Sequence, residues 1–236
     1  MTLTHYGLKE WGLGGVAALA LLAGAAWLWR LGYSGCAVAL AAVTLTVYFC
    51  LAAFFRSPRR TVPDDPELIL SPADGVVRDI GTVGDFTQAP FTGEARRIGI
   101  FLSVFNVHVN RAPADWEVIS KQYRPGRYLD ARHPDCAREN EAMTLGGTAS
   151  AAGWRFPLAV RQISGAIARR IVCPVEPGKQ LPKGKIYGMI KFGSRTELYL
   201  PVGDRIAILV KPGDKVKAGL TVIARVLPEN AEVKNA

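Results

Sequence analysis

The segment Met189-Ile-Lys-Phe-Gly193-Ser194-Arg195 sets a Gly-Ser bond between two apolar, strand-like runs, and such a bond is one at which a chain can cut itself. Gly193 has no side chain to obstruct attack on its carbonyl and tolerates a strained backbone. Ser194 places a hydroxyl one bond away. An N→O acyl shift would turn the peptide into an ester, and loss of the Ser194 α-proton would then expel the upstream chain. The dehydroalanine left behind hydrolyses to a pyruvoyl group at the new N-terminus. Gly-Ser is also a common turn pair, so the reading depends on its neighbours.

Proton transfer needs a second residue. Of the three histidines, His5 lies at the extreme N-terminus and His133 in a polar loop. His108, in the strand-like run Phe101–Pro113, is therefore the candidate general base or acid. Asp74, in Ser71-Pro-Ala-Asp-Gly75, reads either as part of an Asp-Gly turn or as a carboxylate that fixes a histidine tautomer and supports its imidazolium. Cys36 and Cys50 lie in apolar runs, while Cys136 and Cys173 stand without CxxC or Cys/His metal spacing. Reduced structural thiols and no metal site are expected.

The elements that must position these residues fall into two parts. Trp11–Trp29 and Cys36–Phe55 carry no charge and are each about the 20 residues needed to cross a bilayer core. Neither shows a polar face, so a two-helix membrane hairpin (about 11–29 and 36–55, within residues 1–60) is expected rather than a cleaved signal or a soluble helical pair. Gly12, Gly14, Gly15, Ala18, Gly24 and Ala25 would let the helices pack closely. Arg56, Arg59 and Arg60 follow the second run and predict a cytoplasmic globular part at the cell membrane. The net charge of +9 suits an anionic lipid surface; no nucleic-acid motif accompanies it.

Residues 61–236 read as mainly β, with short β-branched and aromatic runs punctuated by Gly, Pro and Asp. Strands are predicted at 75–80, 97–102, 106–110, 117–122, 142–148, 154–160, 185–190, 196–200, 205–209 and 221–226. The spacing of Ile163, Ala166, Ile167 and Ile171 predicts a short helix over 162–172. Val210–Gly219 has the V-x-x-G-D-x-V-x-x-G form of biotinyl and lipoyl carrier domains, implying a similar barrel-sandwich with one or two short helices. Its lysines, Lys211 and Lys215, lack the setting used for carrier modification.

Phe192-Gly-Ser-Arg195 followed by Thr196–Pro201 resembles the processing site of phosphatidylserine decarboxylases in their short prokaryotic form. Four further segments share the resemblance, which covers most of 69–226: Ser71–Gly75, Phe101–Pro113, Tyr123–Glu141 with its PG-[KR]-[FY] and Asn-Glu elements, and Gln162–Val172, close to QIAGxIARRIV. The resemblance implies cleavage between Gly193 and Ser194 into a β chain of 1–193 and an α chain of 194–236. These would stay together as an α/β heterodimer, with room for a higher oligomer. The pyruvoyl group derived from Ser194 would form a Schiff base with phosphatidylserine and release carbon dioxide and phosphatidylethanolamine, with His108 as proton donor and Asp74 assisting self-processing. Arg127, Asn140, Arg169 and Arg170 are implied in holding the lipid head group. Long-form members carry His-x-x-His where this chain has His108 and Arg111. Either His108 serves both cleavage and protonation, or Asp74 acts through water. A membrane-anchored lipoyl-like adaptor without catalysis is the non-enzymatic alternative. A pyruvoyl enzyme for a soluble amino acid is the second enzymatic one, against which the apolar runs and the basic balance count.

Overall fold

The structure is a computed structural model that describes residues 2–133, 135–166, 170–191 and 193–228. Two compact units divide at Arg59/Arg60.

In the first unit, helix α1 (Leu8–Arg30) and helix α2 (Ser34–Phe54) are joined by a three-residue turn, and the short strands β1 (Thr2–Leu3) and β2 (Arg56–Ser57) pair antiparallel where the hairpin's two ends meet. At 1.5 Å per residue the helices are about 35 and 32 Å long, enough to cross a hydrocarbon core of ~30 Å. Large apolar side chains such as Leu13, Leu19, Val47 and Phe49 face outward. The helix contact uses part of the small-residue set: Gly14 and Gly15 lie against Leu51 and Tyr48, and Ala18 and Ala25 are buried. Gly12 and Gly24 face open space instead.

The second unit pairs antiparallel in every ladder. In chain order its strands are β3 (Leu68–Leu70), β4 (Gly75–Phe86), β5 (Gly93–Leu102), β6 (Val109–Arg111), β7 (Asp115–Arg124), β8 (Ala142–Ala151), β9 (Trp154–Ile163), β10 (Arg170–Val172), β11 (Gln180–Leu181), β12 (Ile186–Lys191), β13 (Ser194–Pro201), β14 (Ile206–Ile208), β15 (Lys215–Val216) and β16 (Val222–Val226). A one-turn helix, α3 (Cys136–Glu139), sits between β7 and β8. An eight-stranded curled sheet runs β11-β7-β8-β9-β13-β5-β4-β15, and two three-stranded sheets run β10-β12-β6 and β14-β16-β3. One core joins them, with Ile98, Ile100, Leu158, Leu198, Tyr187 and Ile223 among its members. Trp116 and Tyr187 meet edge to face there, 6.0 Å between ring centroids.

Two local expectations are corrected. Residues 162–172 are not a helix: Gln162 and Ile163 end β9, and Arg170–Val172 form β10 against β12, with Ile171 opposite Ile190. The β-branched isoleucines satisfy a ladder here, and that tertiary pairing overrides a helical spacing too short to nucleate by itself. Residues 167–169 lie outside the described residues. His108 does not sit within a strand either; it precedes β6, after a turn in which the Asn106 side chain accepts from the Ser103 N–H and hydroxyl.

Because Leu158 is fully buried at the centre of β9, Leu158→Ala should cost about 2–5 kcal/mol in denaturant unfolding of the detergent-solubilised protein. A loss under about 1 kcal/mol would mean that this face is not the core.

Candidate active site

β13 begins at Ser194 and is held on both edges. Ser194 pairs with Leu102 of β5, and Arg195 pairs with both Phe101 of β5 and Ile163 of β9. The residue before it, Gly193, has φ +58°, a left-handed conformation in which any side chain would be strained. Its carbonyl lies against Gly165 so closely that a Cβ there would overlap the oxygen. Ser194 is fully buried, and its Oγ has no hydrogen-bond partner among the described residues. An unsatisfied buried hydroxyl costs about 1–3 kcal/mol. It persists here next to the Gly193 carbonyl, whose oxygen rests against a second glycine, Gly165.

His108 is fully buried, and its backbone carbonyl accepts from Ile190 of β12, the strand that leads into the Gly193–Ser194 bond. Its Nδ1 lies 2.9 Å from the Asn106 carbonyl, which can only accept, so Nδ1 carries the proton and Nε2 the basic lone pair. The Asn106 carbonyl therefore favours that tautomer. The Asp74 carboxylate instead receives both Arg60 terminal nitrogens at 2.6 and 2.8 Å and the Ala218 N–H at 2.8 Å. Ala218 belongs to the Val210–Gly219 carrier-like turn, so that motif positions Asp74. Arg111, where long-form members have the second histidine, donates to the Gly184 carbonyl at 2.9 Å. Burial, with the repulsion of Arg60, lowers its pKa against the pull of Asp74.

Beneath the serine runs a polar chain. Asn110 of β6 donates to Thr196 Oγ1 at 3.1 Å and to the Pro72 carbonyl at 3.3 Å, and accepts from Gln162 Nε2 at 2.8 Å. This ties the strand that follows His108, the strand that starts at Ser194 and the turn that carries Asp74 into one buried unit. On the opposite face of β13, Arg195 forms a bidentate pair with Asp79 (2.7 and 2.8 Å) and donates to the fully buried Glu197 at 3.0 Å; Tyr199 donates to Glu197 at 2.6 Å. Burial opposes charge on Arg195, but its hydrogen bonds to these carboxylates, and their negative charge, more than offset it and raise its pKa. Tyr199 stacks on Phe86, 4.0 Å between centroids, closing that face.

A cavity of about 240 Å³ opens onto Gly193, with Ser103, Val104, Asp130, Arg132 and Ala166 in its wall. Asp130 is held down to about 2 by side-chain and backbone hydrogen bonds from Arg132. Asn140 is fully buried and uses its whole amide on the Leu129 N–H, the Leu129 carbonyl and the Ser164 carbonyl, so it staples the 125–140 loop. Arg127 is exposed and paired with Glu139 at 3.3 Å. Arg170 is exposed on β10, and Arg169 lies outside the described residues. All four cysteines are free thiols; burial pushes Cys173 up to about 11 and also raises Cys136, leaving both inert. Among the described residues, no group of three or more His, Cys, Asp or Glu could hold a metal ion.

The family model for phosphatidylserine decarboxylase matches residues 48–224, which span the whole of this site. The chain belongs to the phosphatidylserine decarboxylase family. A phosphatidylserine decarboxylase proenzyme of Rhodopirellula baltica is 41% identical over 219 residues, covering 93% of this chain and 86% of that protein. Proteins of the same name from Carboxydothermus hydrogenoformans and Trichlorobacter lovleyi are 43% and 44% identical over 79% and 78% of the chain, and 84% and 80% of their own lengths.

Within this decarboxylase scaffold, sequence reasoning missed Asn106, Asn110, Gln162 and the Arg195–Asp79–Glu197 group. A polar amide inside an apolar strand was the available signal for Asn110 and Gln162. Arg195 and Glu197 alternate with apolar residues as on a solvent-facing strand, and nothing local announces that Phe86 and Tyr199 cover that face.

Gly165→Ala should slow self-cleavage about 100-fold, because a displacement of the Gly193 carbonyl on the ångström scale is costly to a preorganised attack; the split into two bands on a denaturing gel reports it. Asp79 gives an acid-stability prediction. Burial alone would raise its pKa, but Arg195 and then Arg97 pull it below the ordinary 3.8. A depressed folded pKa means the pair contributes fully above the unfolded value and is lost as pH falls through the folded one. Wild type should therefore lose more stability than Asp79→Asn between about pH 4 and pH 2. Equal slopes would show that the Arg195 pair does not protonate with unfolding.

Proposed function

We propose that this phosphatidylserine decarboxylase is made as a proenzyme that cleaves itself between Gly193 and Ser194 and works through a pyruvoyl group formed from Ser194. The substrate is phosphatidylserine and the product phosphatidylethanolamine. The observation that carries the self-processing reading is the buried Ser194 Oγ, without a partner among the described residues, next to a left-handed glycine whose carbonyl rests on a second glycine. A non-catalytic adaptor has no use for that arrangement.

In the uncut chain, Ser194 Oγ attacks the Gly193 carbonyl carbon while His108 Nε2 takes the hydroxyl proton. The C–N bond breaks, the amine collects a proton, and residues 193 and 194 are then joined by an ester. Removal of the Ser194 α-proton expels the Gly193 carboxylate, and hydrolysis of the remaining enamine releases ammonia. Asn106 keeps His108 in the tautomer that can accept. Asp74, clamped by Arg60, fixes the Pro72–Gly75 turn against Asn110 and the carrier-like loop. A ketone at residue 194 supplies a carbonyl able to condense with the substrate amine and to accept the electrons released when the carboxylate leaves. The residues present suit that group: the cavity reaches Gly193, the neighbour of Ser194, and a Cβ added at Gly193 would meet only Val104, at 3.9 Å. His108 holds the proton that the substrate's former α-carbon needs.

The β chain (1–193) and α chain (194–236) would stay associated as a heterodimer, because β13 is hydrogen-bonded along both edges to β-chain strands. Two apolar helices are compatible with membrane association. Arg56 and Arg59 after the second helix favour the cytoplasmic face for the catalytic unit; Arg60, the third arginine of that cluster, is committed to Asp74. Arg127, Arg169 and Arg170 are proposed to meet the head-group phosphate, and Asn140 acts on it only by holding the loop.

The denatured mass of purified protein should show two chains breaking at Gly193/Ser194, the smaller starting in pyruvoyl. Ser194→Ala should remain one chain and release no carbon dioxide from phosphatidylserine. His108→Ala should lose at least about 100-fold in decarboxylation, the typical scale of a general acid or base. An uncut wild type that still decarboxylates would sink the reading.

A further inference from the structure

The cavity at Gly193 holds about 240 Å³, below the ~300–1,000 Å³ of sites that engulf a drug-sized ligand. It accommodates a phosphoserine head group and leaves no room for two acyl chains, so the chains must pass over its rim. One rim is the turn Ser103–Asn106, which places Val104 in the cavity wall and turns Phe105 outward with 84% of its surface exposed. No other large apolar side chain in either unit is as exposed among the described residues, including those on the outer surface of the helical hairpin. The turn is held by its own hydrogen bonds, Asn106 to the Ser103 N–H and hydroxyl and the Asn106 N–H to the Ser103 carbonyl. The phenyl is thus presented on a fixed support. The other loop at the cavity carries Tyr128, exposed, and Arg127, a side chain open to solvent. An outward phenyl, a tyrosine and an arginine on the two segments that line the cavity are the residue types that settle at a membrane–water interface.

We propose that the Ser103–Asn106 turn is a second membrane contact, separate from the helical hairpin: Phe105 inserts into the head-group and acyl boundary of an anionic bilayer and seats the cavity mouth over the lipid. This rests on phosphatidylserine being the substrate. The occupant is the bilayer surface, not a protein, because the opening behind the phenyl leads to Gly193, where the lipid head group must arrive.

The test uses the full, self-cleaved protein reconstituted in phosphatidylcholine vesicles, with carbon dioxide release normalised to cleaved chain. Long-chain phosphatidylserine in the bilayer is compared with a short-chain, monomeric phosphatidylserine in solution. Phe105→Ser should lose about tenfold on the bilayer substrate, the scale on which burial of one apolar side chain acts at an interface, and stay within about twofold on the monomeric one. Phe105→Trp should retain bilayer activity. Equal losses on both substrates would show that the turn acts on the chemistry through His108, and no loss on either would show that it touches nothing; each overturns the proposal. A Phe105→Ser protein that dissociates from an oligomer with bilayer activity intact would make the turn a protein contact. Wild type inactive on both substrates would remove the substrate assignment itself, a failure distinct from the others.

Discussion

Every part of the site depends on the register of β13, the strand that starts at Ser194 and is paired along both edges, with β5 and with β9. Side chains alternate along a strand with a period of two, so this register sends Ser194, Thr196, Leu198 and Leu200 to one face and Arg195, Glu197 and Tyr199 to the other. Both faces are buried, and they are chemically opposite. A slip by one residue would drive Arg195 and Glu197 into the apolar core and pull Leu198 out of it. An uncompensated buried charge costs about 3–5 kcal/mol, so the Arg195–Asp79–Glu197 group penalises the wrong register and holds the cleavable bond where it is.

From that fixed strand the site is assembled by long-range hydrogen bonds. Gly193, in a left-handed conformation, and the buried Ser194 are neighbours in sequence. His108 arrives from a distant segment, and the Asn110–Thr196 and Asn110–Gln162 bonds join the strand behind it to the sheet that carries the serine. Buried amide hydrogen bonds of this kind gain strength in a low-dielectric interior. They also underlie Ser194, whose own hydroxyl has no hydrogen-bond partner among the described residues.

Asp74 shows how a residue's neighbours decide its work. It sits in the turn that the family resemblance marks, yet its oxygens are taken by Arg60 and the Ala218 N–H, and the histidine tautomer is set by a backbone carbonyl. Arg60 lies immediately after the hairpin unit in sequence, and the carrier-like turn lies near the end of the second unit. The aspartate therefore fastens two distant stretches of chain beside the base-bearing segment, a positioning role that Arg111, in the field of both Asp74 and Arg60, shares.

Sequence by itself determined the candidate cleavage bond, the mainly β class and the apolar hairpin, because each is written in adjacent residues: a Gly-Ser bond, two-residue alternation between turn signals, uncharged runs of bilayer length. Strand positions were legible for the same reason, as with β5 and β9, whose apolar residues alternate strongly. The segment 162–172 was misread because a helical spacing over a few residues is weaker than a ladder with β12 that only the folded chain provides. Tertiary structure alone decided that the Asn106 carbonyl meets His108 Nδ1, that Arg60 and the Ala218 N–H hold Asp74, that Arg195 and Glu197 are buried, and that Asn140 staples a loop. Those assignments depend on which carbonyl, guanidinium or ring comes within about 3 Å, and that is set by packing between strands far apart in the chain.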